Sequence, residues 1–134
     1  MNACALAIRL KISDNEANTA LAALRRLGVP VARLERAVIL LFSEARADAA
    51  SRVMRDETLF NPNKHALEEL DGSAPRSGEV WIEELDAEGE ASSVRRYVGW
   101  RLFGADGIPA SPEIVQVAAE RLLCNPAIER SILR

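Results

Sequence analysis

The chain has 134 residues, of which 49% are hydrophobic and 28% are charged. This composition is typical of a folded protein and excludes an intrinsically disordered chain, so we expect residues 1–134 to form a single domain. The formal net charge of -3 excludes a strongly basic surface of the kind that attracts phosphate backbones. We therefore expect no nucleic-acid partner.

The amino-terminal residues predict a strand and not a targeting segment. The sequence "MNACALAIRLKISDNE" has no basic segment ahead of its apolar stretch, and apolar and polar residues alternate from Leu6 to Ile12. This alternation is typical of a strand with one buried and one solvated face, and differs from a signal peptide or a membrane span. Cys4 and Cys124 lack the spacing of a zinc site or a disulfide framework. We expect a cytoplasmic protein with reduced thiols and no membrane contact.

The rest of the first half predicts a helix, a strand and a second helix. In "SDNEANTALAALRRLG", Ser13 and Glu16 have the spacing of a capping box, leucines and alanines form one apolar stripe, and Gly28 suits the helix end. Residues 31–43 are apolar and β-branched, which predicts a buried strand. The alanine-rich residues 44–56 predict the second helix.

The second half predicts a hairpin and a last helix. Residues 71–79 concentrate Gly, Pro and Ser, which indicates a surface loop. Residues 80–86 and 94–104 predict two strands joined as a hairpin. Ser111 and Pro112 suit the cap and the first position of a helix. Together these elements predict an α+β fold with an antiparallel sheet of about four strands, helices on one face and a ferredoxin-like layout.

An Asn-Pro pair occurs twice, 64 positions apart, in "LFNPNKHALEEL" and "LCNPAIERSIL". Asparagine favours the N-cap of a helix, proline favours the first helical turn, and the residue before proline avoids helical angles. Each pair therefore predicts the end of one helix and the start of a short second one. The predicted structural helix caps are Asn61, Pro62, Asn125 and Pro126, and a direct binding role for either asparagine is the alternative.

No catalytic or metal-binding constellation stands out, so we expect no catalytic residue, no cofactor and no bound metal. His65 is the only histidine and lacks the further ligands of a metal site, which favours an exposed residue of the short helix. Cys124 lies near a predicted helix N-terminus, where a thiolate is favoured, but its apolar neighbours favour a small buried side chain. An acidic cluster surrounds the predicted hairpin turn, and we interpret it as a solvated loop, with magnesium binding as the alternative: Glu83, Glu84, Asp86, Glu88 and Glu90.

The fourth predicted strand is the candidate interface. Its possible interface residues are Arg95, Arg96, Tyr97, Trp100 and Arg101. Arginines interleaved with aromatic residues suit the recognition of an anionic ligand or of a partner's carboxylates. An edge strand whose arginines discourage aggregation is the alternative.

Two stretches resemble the PurS family, the small subunit of phosphoribosylformylglycinamidine synthase, and the related amino-terminal domain of the long single-chain enzyme. Residues 14–28 are similar to the family's first helix, which closes in Ala-Leu-x-x-Leu-Gly, and residues 118–133 are similar to its second-helix ending around Asn-Pro. Ala17 stands where the family has a glycine, and the family's Arg-x-Gly-Lys signature has no good counterpart in "RLERAVIL". The resemblance implies a PurS-like module over residues 3–87 and a partial second copy, a strand and the C-terminal helix, over residues 88–134.

The resemblance also implies a function. The synthase converts formylglycinamide ribonucleotide to the amidine with ATP and glutamine, and PurS-like chains bridge its ATP-using and glutaminase subunits without catalysing the reaction. The implied partners are thus the protein subunits of this complex, and open sheet edges predict a homo-oligomer. The alternative is a small-molecule-binding regulatory domain that acts as a dimer. Such domains use a Gly-rich turn after the first strand, and "ISDNEAN" contains no glycine.

Overall fold

The computed structural model describes residues 4–43, 45–85 and 94–133. The strands are β1 Cys4–Leu10, β2 Arg33–Phe42, β3 His65–Glu69, β4 Glu79–Glu84, β5 Val94–Phe103 and β6 Glu129–Leu133. The helices are α1 Asn15–Arg26, α2 Arg46–Arg55 and α3 Pro112–Ala118, and a π-helical segment, Ala119–Leu123, continues α3. The described strands form one open antiparallel sheet in the order β3-β1-β2-β5-β4-β6. The α+β class and the antiparallel sheet are confirmed, but the sheet has six strands and not about four.

The two additional strands, β3 and β6, lie where the sequence predicts short helices. That prediction is wrong, because each Asn-Pro pair is followed by a strand. β3 pairs with β1 and β6 pairs with β4, so each gives backbone hydrogen-bond partners to a strand that would otherwise end the sheet. A helix of one or two turns is marginal in water, and this pairing outweighs the helical propensity of Ala, Leu and Glu.

The first helix is confirmed, with a different cap. Asp14 caps α1 in place of Ser13, because its Oδ1 accepts the N–H groups of Glu16 at 3.0 Å and of Ala17 at 3.2 Å. Gly28 has a φ of +83°, in the left-handed region that commonly ends helices. Both ends of α1 are therefore encoded locally.

The last helix begins as predicted and then widens. Ser111 Oγ accepts the N–H of Ile114 at 3.4 Å, and Pro112 occupies the first helical position. In the π-helical segment, the N–H of Cys124 donates to the carbonyl of Ala119 at 2.9 Å. No described helix has the length and apolar character needed to cross a membrane.

The described helices pack on one side of the sheet, which we call the helix face. Leu34 belongs to the apolar cluster under α1 and α3, and Leu40 belongs to the cluster under α2. Residues an even number of positions apart on one strand point to the same face, so both clusters lie on the same side. The prediction of helices on one face is confirmed.

The opposite face carries none of the described helices, yet its centre is buried. The chain runs from β3 at one edge to β4 near the other, and Leu70 of this connection packs into the cluster on this face. Ala5 and Ala7 are fully buried there, so the predicted solvated side of β1 is wrong. The cluster consists of Ala5, Ala7, Ala37, Ile39, Leu70, Trp81 and Tyr97.

The strand order is mirrored about the pair of β2 and β5, since β3-β1-β2 on one side corresponds to β6-β4-β5 on the other. When Asn61 is aligned with Asn125, the strand registers assign each strand residue of the first half a counterpart in the second half. The two counterparts lie on the same face of the sheet. These counterparts are Leu6 and Val80, Ile8 and Ile82, Arg36 and Arg96, and Phe42 and Leu102. Residues 85–93 separate β4 from β5, whereas the longer stretch of residues 11–32, which includes α1, separates β1 from β2.

Candidate functional site

The two Asn-Pro pairs form the same turn. Oδ1 of Asn61 accepts the N–H of Asn63 at 2.9 Å, and Oδ1 of Asn125 accepts the N–H of Ala127 at 3.1 Å. In both turns, the fourth residue after the asparagine donates its N–H to the asparagine carbonyl at 2.7 Å. Pro62 and Pro126 stand directly after the asparagines, where a fixed φ favours a turn. All four residues therefore build turns that lead into β3 and β6.

The first residue of each following strand completes the turn. Nδ1 of His65 accepts the N–H of Asn61 at 2.9 Å, and Oε1 of Glu129 accepts the N–H of Asn125 at 2.8 Å. Because Nδ1 of His65 is an acceptor, the neutral imidazole carries its proton on Nε2. His65 is half-buried at the start of a strand, and not an exposed helical residue as predicted.

The predicted interface residues do not form one surface. Strand alternation places Arg95, Tyr97 and Arg101 on the face opposite the helices, and Arg96 and Trp100 on the helix face. Tyr97 is 3% exposed and its ring centroid lies 5.2 Å from that of Trp81, so it belongs to the core. Trp100 packs against the cluster under α1 and α3.

Arg95 and Arg101 are engaged within the chain. Nη2 of Arg95 donates to Oε2 of Glu83 at 2.8 Å, and Arg130 donates to Oε1 of the same carboxylate. Burial opposes the charge on Glu83, but the hydrogen bonds from Arg130 and Arg95 outweigh it and lower the pKa of Glu83. Arg101 donates from Nε to the carbonyl of Ser77 at 3.1 Å.

The remaining candidates from the sequence are Cys124 and the acidic cluster. Burial and the neighbouring Glu129 raise the pKa of Cys124, although a hydrogen bond with Ser131 opposes them, so the thiol form is favoured. Of the acidic cluster, Glu84 is exposed, and Asp86, Glu88 and Glu90 lie outside the described residues. Within residues 4–43, 45–85 and 94–133, no group of three or more His, Cys, Asp or Glu side chains is placed to hold a metal ion.

Arg96 faces a pocket on the helix face, which we call the Arg96 pocket. Its volume is about 230 Å³, and it lies between the N-terminus of α1 and the segment after α2. Its apolar lining comes from Ile8, Leu10, Val38 and Leu59. Its polar lining comes from Asp14, Arg36, Thr58, His65 and Arg96.

Arg36 and Arg96 are counterparts in the mirrored sheet, but their partners differ. Nη2 of Arg36 lies 3.2 Å from Glu16 and Nη1 lies 3.9 Å from Asp14, both at the start of α1. Nε of Arg36 is buried and has no acceptor among the described residues. Arg96 is exposed, and no described carboxylate lies within ion-pair distance of it. Arg36 was missed from sequence, although the shared Arg-x-Val of residues 36–38 and 96–98 marks it.

A larger cleft, of about 560 Å³, lies near Gly78 and Pro109. The carboxylate of Glu79 at this cleft is 2% exposed and lies 3.0 Å from Nη2 of Arg76. Its charge is therefore neutralised within the chain, and the cleft presents mainly apolar surface. The Arg96 pocket is lined by more charged and polar side chains than this cleft.

The chain matches no protein-family model, and a search of curated proteins finds no significant match.

Proposed function

We propose that the chain is a non-catalytic, PurS-like subunit that bridges the ATP-using and glutaminase subunits of phosphoribosylformylglycinamidine synthase in the cytoplasm. The mirrored sheet carries this proposal. Its first half runs strand, helix, strand, helix, Asn-Pro, strand, which is the order expected of a PurS-like module. In its second half, the described elements β4, β5, α3 and β6, with Asn-Pro before β6, follow the same order.

The chain is then an enlarged PurS whose two modules share one sheet. β2 and β5 join the modules through a continuous register from Arg33 opposite Phe103 to Phe42 opposite Val94. The predicted boundary at residue 87 falls outside the described residues. The match between the halves favours a second module that begins with β4.

The surface suits a bridging subunit. β3 and β6 end the sheet, and edge strands present backbone N–H and C=O groups that pair with other chains. Ile12, Met54 and Ile108 are each at least 60% exposed, so these apolar side chains are accessible to a partner. We propose that these edges mediate both homo-oligomer formation and contact with the two enzyme subunits.

Co-purification tests the proposed partners. The tagged protein is used as bait in its own cell extract, supplied with glutamine and Mg-ADP, and retained proteins are identified by mass spectrometry. The account predicts recovery of an ATP-using amidotransferase chain and a glutaminase, both displaced by excess untagged protein. Recovery of neither by a folded bait would remove the support for the bridging role.

A second candidate function, a regulatory domain that binds a small molecule, is favoured by one observation. The Arg96 pocket combines an apolar lining with two arginines and a histidine. A few polar groups in an apolar cavity are typical of ligand sites.

A further inference from the structure

We infer that the Arg96 pocket binds a small carboxylate with an apolar body. The inference does not depend on the bridging role, because it rests on the side chains that line this pocket. In the first half, the guanidinium of Arg36 is neutralised by Asp14 and Glu16 of the α1 N-terminus. In the second half, its counterpart Arg96 lines the pocket and has no carboxylate partner among the described residues.

One of the two guanidinium groups that line the pocket has no anionic partner among the described residues. Arg36 is paired with Asp14 and Glu16, whereas no described carboxylate lies within ion-pair distance of Arg96. Oδ1 of Asp14 is already bound to two backbone N–H groups of α1, and its other oxygen faces Arg36. A monoanion beside Arg96 would pair with its guanidinium, as Glu16 pairs with Arg36.

The hydrogen-bonding groups of the pocket are mainly donors. The guanidinium of Arg96 and the buried Nε of Arg36 have no acceptor among the described residues. The proton on Nε2 of His65 is a further donor, because Nδ1 is occupied by the N–H of Asn61. A ligand without donors but with two acceptor oxygens fits this set, and a carboxylate pairs with arginine in a bidentate geometry.

The apolar lining and the volume limit the rest of the ligand. Ile8, Val38 and Leu59 line the pocket together with Leu10 at its more exposed side. A cavity of about 230 Å³ is below the usual size of cofactor sites, so the body is expected to be a short hydrocarbon chain. Carboxylate is favoured over phosphate because the counterpart arginine pairs with carboxylates and only one guanidinium of the pocket lacks an anionic partner among the described residues.

The test is an NMR titration of the full ¹⁵N-labelled chain with 3-methylbutanoate. The neutral 3-methylbutanamide is the matched ligand, and inorganic phosphate is the competing anion. We expect 3-methylbutanoate to cause saturable chemical-shift changes of pocket residues. The wild type should bind the amide at least about tenfold more weakly, and Arg96→Gln should bind 3-methylbutanoate at least about tenfold more weakly. Arg95→Gln, the neighbouring arginine on the opposite face, should bind 3-methylbutanoate like the wild type.

Several outcomes would overturn the inference. The first is a lack of saturable chemical-shift changes with 3-methylbutanoate in the millimolar range. The others are equal affinity for the amide and the carboxylate, and an equal loss of affinity in Arg95→Gln and Arg96→Gln. Tighter binding of phosphate than of the carboxylate would overturn the ligand class. Arg96 is exposed, so the Arg96→Gln variant is expected to fold. Agreement between its spectrum and that of the wild type, for residues away from the pocket, checks this.

Discussion

At the scale of single residues, Gly99 in β5 marks a place where the sheet admits no side chain. An added Cβ would lie 2.8 Å from Cγ1 of Ile39 and 3.4 Å from Cδ1 of Trp81. Ile39 is fully buried and Trp81 is 1% exposed, so neither has free space into which to move. A glycine within a strand commonly allows such a close approach of neighbouring groups.

Gly99→Ala is therefore expected to destabilise the protein by about 1–3 kcal/mol, the usual range for overpacking a core. The measurement is the free energy of unfolding from urea denaturation. Gly72→Ala is the control, since an added Cβ at Gly72 meets nothing within 4 Å. A Gly99→Ala variant as stable as Gly72→Ala would contradict the proposed packing.

Glu83 predicts a dependence of stability on pH. Its pKa is lower in the folded protein than the ordinary value of 4.5, because hydrogen bonds from Arg130 and Arg95 outweigh the effect of burial. A lowered carboxyl pKa contributes stability above the ordinary value, and this contribution is lost as the pH falls through the folded value. Glu83→Gln should therefore lower the Tm at neutral pH and reduce the further loss of Tm below pH 4.5.

Thermal denaturation at a series of pH values measures this effect. Glu57→Gln is the control, because Glu57 is exposed and has no hydrogen bond or ion pair with the described residues. The control should follow the wild-type curve. A Glu83→Gln curve parallel to the wild type across the acid range would show that the two arginines do not stabilise the charged form.

At the scale of elements, the Asn-Pro turns are the repeated device that starts β3 and β6. Asn61→Ala and Asn125→Ala each remove one hydrogen bond that a backbone N–H donates to a side-chain oxygen. We expect each to lower the free energy of unfolding by about 0.5–1.5 kcal/mol and to do so to a similar extent. Urea denaturation measures both losses.

Asn63→Ala is the matched control for these variants, since Asn63 contributes only its backbone N–H to the first turn. Its stability should be close to that of the wild type. A large effect in only one of Asn61→Ala and Asn125→Ala would contradict the equivalence of the two turns.

Elements with their own periodicity and end signals could be predicted from sequence, and elements defined by tertiary pairing could not. Asp14 or Ser13 at the start and Gly28 at the end bracket α1, and the alternation of β5 is visible in its residues. The segments after Asn61 and Asn125 are rich in helix formers, and they become strands only because β1 and β4 offer partners. The Arg96 pocket could be predicted only in part, because Arg96 is joined there by residues of β1, β2, β3 and the segment after α2 that only the tertiary fold brings together.

At the scale of the whole molecule, the mirrored sheet explains why one chain carries the same turn twice. Two modules that share a sheet through β2 and β5 bury the strand edge at which they meet and leave one open edge each, at β3 and β6. Two open edges at opposite ends of the sheet suit a protein that contacts two partners. The proposed bridging role therefore depends on this arrangement of edges and not on any single side chain.

The most direct test of the bridging role is a reconstituted assay with the purified ATP-using subunit and glutaminase. Amidine formation from formylglycinamide ribonucleotide is measured with either glutamine or ammonium chloride as the nitrogen source, with and without this chain. Bridging predicts that the glutamine-dependent rate requires the chain, while the ammonia-dependent rate does not, because free ammonia needs no path between subunits. A glutamine-dependent rate that is the same without the chain would contradict the account.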